Sequence, residues 1–109
     1  MAGSTTTVYT SAARTATPTA LTFSMGPYST LRLVLDATAI TSTPSVTVTV
    51  EMFDPLSNKW VTMLTSSAIA TVSTNALGPV AGLRGQVRVT ATHGNANSIT
   101  YTLSAHRTI

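Results

Sequence analysis

Four stretches of this chain alternate strictly between core-type and outward-type side chains, and no other feature constrains the fold as tightly. Leu31, Leu33, Leu35 and Ala37 alternate with Arg32, Val34, Asp36 and Thr38. Val46, Val48, Val50 and Met52 alternate with Thr47, Thr49, Glu51 and Phe53. Val87, Val89 and Ala91 alternate with Arg88, Thr90 and Thr92, and Ile99, Tyr101, Leu103 and Ala105 with Thr100, Thr102, Ser104 and His106. Successive side chains on a strand point to opposite faces, so a period of two puts one set on a core and the other outside it. A helix would scatter the same residues around its axis. Threonine suits the outer positions because its branched carbon packs on a pleated surface while its hydroxyl stays wet.

Weaker strands are expected near residues 6–10, 20–24, 59–64 and 69–73, giving about eight, and residues 66–72 are the one place where a helical turn could form. Asp54-Pro55-Leu56-Ser57-Asn58 reads as a type I turn, with Pro55 presetting φ and Asn58 able to take the left-handed position. It should join its flanking strands as a hairpin, with Phe53 and Trp60 facing each other across it. His93-Gly94-Asn95-Ala96-Asn97 reads as a second hairpin loop, and residues 41–44 and 75–79 as loops punctuated by Pro and Gly. Short strands at this spacing predict an all-β fold, a single-domain antiparallel β-sandwich of jelly-roll or immunoglobulin-like topology. A length of 109 residues fits one domain. Residues 1–18, with Val8 and Tyr9 as their large apolar side chains, read as an N-terminal arm or edge strand, and residues 19–109 as the sandwich.

Composition narrows the function classes. Charged residues are 8% of the chain, against a typical ~25%. Thr and Ser number 23 and 12, so hydroxyls do the solvating that charge usually does. A hydrophobic fraction of 43% excludes the low-hydrophobicity, high-charge composition of disordered chains. There is no cysteine, hence no disulfide framework and no thiolate site. No apolar run approaches the ~20 residues of a membrane helix, and the first residues lack a signal-peptide pattern, so a soluble protein made in the cytoplasm, without a membrane partner, is expected. The net charge of +3 and pI near 10.0 reflect scarce acids, namely Asp36, Glu51 and Asp54.

Catalytic and cofactor motifs are not found. Three scattered carboxylates offer no evident acid/base pair, and two histidines, His93 and His106, fall short of a metal ligand set. No G-x-S-x-G elbow accompanies the twelve serines, and the glycine-rich residues 78–85 lead into a strand without the Lys-Ser/Thr of a phosphate loop. Arg84 and Arg88 share one side of their segment, but nucleic-acid binding wants a denser basic stripe interleaved with exposed aromatics. The expectation is no enzyme, no cofactor, no metal and no nucleic acid.

Strands such as residues 46–50 are β-prone and uncharged, a hazard when an edge is bare, and the chain has one Lys to protect edges. That argues for a subunit whose edges are covered by partners. The segment Leu31-Arg32-Leu33-Val34-Leu35-Asp36-Ala37-Thr38-Ala39, followed by Thr43-Pro44-Ser45-Val46-Thr47-Val48-Thr49-Val50-Glu51, carries a resemblance. So do Asp54-Pro55-Leu56-Ser57-Asn58-Lys59-Trp60, Gly85-Gln86-Val87-Arg88-Val89-Thr90 and Ser98-Ile99-Thr100-Tyr101. Over residues 28–105 this order resembles small all-β virion proteins of tailed bacteriophages. The resemblance implies a structural protein, a capsid decoration (cement) protein on the virion surface. Its partner would be the major capsid protein, with copies clustering as a homo-oligomer on the shell. The arm would add as a strand to a neighbour through Thr7, Val8 and Tyr9, with Arg14 pairing an acidic shell residue, and its removal would leave the fold intact. Trp60, Arg84, Arg88 and Arg107 are the further interface candidates. Alternatives are a tail or head–tail connection subunit, and a host-surface glycan-binding module using Trp60 beside Asn58.

Overall fold

The computed structural model describes residues 3–109, which form eight strands and no helix. They are β1 (Ser4–Arg14), β2 (Leu21–Ser24), β3 (Thr30–Ile40), β4 (Val46–Asp54), β5 (Lys59–Thr65), β6 (Ser73–Val80), β7 (Gln86–His93) and β8 (Ile99–Thr108). Two antiparallel four-stranded sheets result, ordered β1-β8-β3-β6 and β2-β7-β4-β5. The molecule is flat, 42 × 33 × 19 Å, as two sheets stacked roughly 10 Å apart require.

The strand order settles the topology as a jelly roll. β1 pairs with β8, β2 with β7, β3 with β6 and β4 with β5, so the chain is one long antiparallel ribbon with its tip at the β4–β5 turn. Rolling that ribbon brings β3 against β8 and β4 against β7, which closes two sheets from one ladder. Among connections between the described strands, the β4–β5 turn alone stays within a sheet.

Every position assigned inward on the four alternating strands, Met52 excepted, is buried to 1% exposure or less, Tyr101 among them. Met52 packs against the edge of this core. Met25 and Leu83 fill one end from loops that hold each other: Met25 N–H donates to Gly85 O at 2.8 Å and Leu83 N–H to Ser29 O at 2.9 Å. No polar or charged residue is fully buried among the described residues.

Four expectations need correction. The 93–97 loop does not form a hairpin: β7 and β8 lie in different sheets, and the loop arches between them. Asn95 and Asn97 amides donate to Thr43 O, tying this arch to the β3–β4 connection. Residues 66–72 form no helical turn; Ile69 bridges Val46 in extended backbone, and Ser66 Oγ accepts from Val48 N–H. The strand placed near 69–73 instead runs over Ser73–Val80, through residues read as a loop. Gly78 and Pro79 sit there in a bulge, where the register shifts and Pro needs no ladder donor. Gly78 holds φ of 94°, and a Cβ there would lie 3.0 Å from Leu31 O.

The fourth correction concerns the edges. Residues 46–50 lie in β4, paired throughout by β7 on one side and on the other by β5 at Thr49 and Val50, with Ser66 and Ile69 bonded to Val48 and Val46. The actual edges are blunted: β1 by two bulges, β6 by its Gly78-Pro79 bulge, β5 by Lys59 and a bulge, and β2 by its length of four residues. Bare edges are therefore no argument for a partner.

Candidate functional site

β1 is an edge strand of its own sandwich, with Ser4 opposite Arg107 and Arg14 opposite Ile99. A bulge between Thr7 and Tyr9 turns both Val8 and Tyr9 into the core, at 9% and 7% exposure, so neither is available to a neighbour. Thr7 remains exposed. Tyr9 stacks edge-on to Tyr101 with centroids 6.4 Å apart, and its hydroxyl donates to Thr19 O.

Arg14 is also engaged internally. Its guanidinium lies 5.3 Å from the Tyr9 ring and 5.6 Å from the Tyr101 ring, and Nη2 donates to Thr10 O. His93 joins this cluster through Nε2, 3.0 Å from the Tyr101 hydroxyl. Burial pushes the Tyr101 phenol up to about 12 and raises that of Tyr9, whereas burial and the Arg14 charge hold His93 below the ordinary histidine value. The group is a structural end-seal that no acidic residue enters.

Arg107 is a staple between the sheets. Nη1 donates to Ser24 O on β2, and Nη2 to Ser4 Oγ and Thr6 Oγ1 on β1, all at 2.8 Å. The guanidinium stacks 5.3 Å from Phe23. Arg88 pairs with Glu51 at 2.9 Å on the outer face of the second sheet and covers the Trp60 ring at 4.4 Å. Phe53 meets Trp60 edge-on, at 5.3 Å and 61°, as the hairpin register requires. Arg88 thus occupies one face of the Trp60 ring, the residue named for a glycan platform beside Asn58.

Arg84 is different. It is exposed, and its side chain makes no hydrogen bond or ion pair among the described residues. Its backbone N–H donates to Met52 Sδ at 3.4 Å, which fixes the 81–86 segment over the end of β4. Between that segment and the β4–β5 hairpin lies an open groove of about 650 Å³. Met52, Phe53, Pro55 and Val61 supply its apolar lining, and Asp54, Arg84 and Gln86 its polar lining.

Beside this groove stands Leu56, 98% exposed at the tip of the turn. The turn is held by Asp54: Oδ1 accepts from Leu56 N–H, and Oδ2 accepts from Ser57 Oγ at 2.7 Å. Those bonds, Ser57 first, hold the Asp54 carboxyl below its ordinary value. Asn58 closes the turn at φ of 58°. Val61 follows at 44% exposure. Sequence reading found the turn but not the groove, because its far wall comes from residues 30 positions away in the chain.

Among the described residues there is no group of three or more His, Asp or Glu placed to hold a metal ion. No family model, curated protein or solved structure matches this chain. The phage resemblance is therefore carried by the sequence patterns alone.

Proposed function

We propose that the chain is a contact protein of a bacteriophage particle, a decoration subunit that binds the major capsid protein on the outside of the assembled head. One observation carries the choice of surface: the β4–β5 end presents an exposed leucine on a hydrogen-bonded turn beside a largely apolar groove lined also by Asp54 and Arg84. Exposed apolar patches mark interaction sites, and this one replaces the β1 arm as the contact surface. The assignment to phage particles rests on the sequence resemblance, since a jelly roll hosts many functions. On a rigid lattice, modest contacts per copy sum to firm attachment.

The test is co-sedimentation of the purified protein with undecorated phage heads. The expected result is saturation at a fixed copy number, with Leu56→Asp weakening binding about tenfold or more, because the buried leucine side chain is lost. Rings or tubes formed without heads would support a tail or head–tail connection subunit instead. Wild type that ignores heads and stays dispersed would overturn the virion reading.

A further inference from the structure

We propose that Ser104, His106 and Thr5 form a reactive site on the outer face of the β1-β8-β3-β6 sheet, where the Ser104 hydroxyl attacks short-chain carboxylic esters. The site is separate from the β4–β5 end and does not depend on the decoration reading. Ser104 and His106 lie two residues apart on β8, so both side chains stand on one face of the strand. Ser104 Oγ lies 3.2 Å from His106 Nε2, and His106 Nδ1 lies 3.1 Å from Thr5 Oγ1. A nucleophile bonded to a base, with that base oriented by a third group, is the arrangement that activates a serine hydroxyl. When Nδ1–H donates to Thr5, Nε2 is left as the acceptor for the Ser104 proton. Thr5 is 101 positions from His106 and meets it only because β1 pairs with β8, so no local motif announces the set.

The neighbouring strands supply the other parts. On β3, Arg32 is opposite His106 and Val34 is opposite Ser104. Arg32 is exposed, and its side chain makes no hydrogen bond or ion pair among the described residues. Opposite and diagonal neighbours on one sheet face stand about 4.5–8 Å apart, a span that an arginine side chain covers. Its guanidinium is thus within reach of the oxygen of a carbonyl under attack by Ser104. Backbone N–H groups are not the donors here, since β8 is paired with β1 on one side and β3 on the other. Val34, with Ala76 opposite it on β6, offers the acyl group an apolar contact. That contact suits a short acyl chain, and the open sheet face sets no limit on the alcohol.

The reaction balances as transfer of an acyl group to water. Ser104 Oγ bonds to the carbonyl carbon while its proton passes to His106 Nε2, and the carbonyl oxygen takes up negative charge facing Arg32. The bond to the alcohol oxygen breaks, and the alcohol leaves with the proton from His106. Water then attacks the Ser104 ester, giving a proton to His106, which returns it to Ser104 Oγ as the carboxylic acid departs. Thr5 is a positioning residue. A neutral hydroxyl orients the imidazole without stabilising its cation as a carboxylate does, so turnover should fall below the usual enzyme range of about 1–10³ s⁻¹.

The probe is p-nitrophenyl acetate, read as nitrophenolate release, with a fluorophosphonate label mapped by mass spectrometry on the wild-type chain. The expected result is saturable release and a label on Ser104. Ser104→Ala and His106→Gln should each lower kcat/KM about tenfold or more, and Arg32→Met should lower kcat about tenfold. Thr5→Val should lower kcat several-fold at unchanged KM, with Thr5→Ser restoring it. None of these side chains is fully buried, so circular dichroism should report an unchanged fold. The mapped label needs no variant and tests Ser104 even where a substitution disturbs the sheet.

Wild-type rates retained in Ser104→Ala but lost in His106→Gln would show a bare imidazole reacting by itself and overturn the serine nucleophile. Release no faster than that of free imidazole at equal concentration, or a label absent from Ser104, overturns the site as a whole. Head binding is measured separately and is expected to be the same in Ser104→Ala as in the wild type, so failure of either reading leaves the other to stand on its own result.

Discussion

Arg107 carries more of this structure than any other polar side chain. Three hydrogen bonds reach from its guanidinium to both sheets, and Phe23 and Tyr28 pack beside it. Against that stands Nε, buried without a partner. Arg107→Ala should therefore cost about 2–3 kcal/mol, less than the sum of its contacts, read as a lower urea midpoint. Arg107→Lys should recover less than half of that loss, because an ammonium lacks the planar fork that spans Ser24 on one sheet and Ser4 and Thr6 on the other. At the opposite end, His93 sets a pH dependence. Its folded value lies below the ordinary 6.5, through burial first and then Arg14. The unfolded chain thus binds the proton more readily. The stabilisation is complete above about pH 6.5 and is lost as pH falls through the folded value. Thermal melts between pH 7.5 and 5.5 should show a falling midpoint in the wild type and a flatter profile in His93→Gln. Equal slopes would remove His93 as the cause.

At the scale of elements, β1 contributes most to the contrast between expectation and structure. A terminal arm free to add to a neighbour predicts that deletion of residues 1–15 leaves the fold intact. The pairing of β1 with β8, the burial of Val8 and Tyr9, and the bonds from Arg107 to Ser4 and Thr6 predict the opposite. The truncated chain should be aggregated or unfolded, with Tyr101 and the β8 edge exposed; a soluble, cooperatively melting product would show that β1 is dispensable. The sequence left arm and edge strand both open, because residues 4–14 carry two bulges that break the alternation used to recognise strands elsewhere and hide the inward turn of Val8 and Tyr9. The β4–β5 hairpin is the reverse case. Asp54, Pro55 and Asn58 encode its turn locally, and the Phe53–Trp60 pair follows from that register.

For the whole molecule, the rolled ribbon makes almost every strand pairing distant in sequence, the β4–β5 turn excepted. Closing those loops costs entropy before the contacts repay it, so refolding should take milliseconds to seconds. Stopped-flow circular dichroism would check this, and complete recovery within microseconds would contradict it. The same topology gathers the end of β4, the hairpin tip and the 81–86 segment at one pole, and so creates the groove.

Residue alternation determined which side chains of β3, β4, β7 and β8 face the core, because the direction of a side chain on a strand depends only on its place in the pleat. Turn chemistry determined the hairpin tip in the same local way. Tertiary structure alone decided which strands pair, that the 93–97 loop arches between sheets, that Val8 and Tyr9 turn inward, and that Arg14, Arg88 and Arg107 are used internally while Arg84 is left free. The physical reason is that these valine-, leucine- and threonine-rich strands are nearly interchangeable as partners. Their order is set by how the whole ribbon can roll to bury one continuous core, a property that no single segment contains.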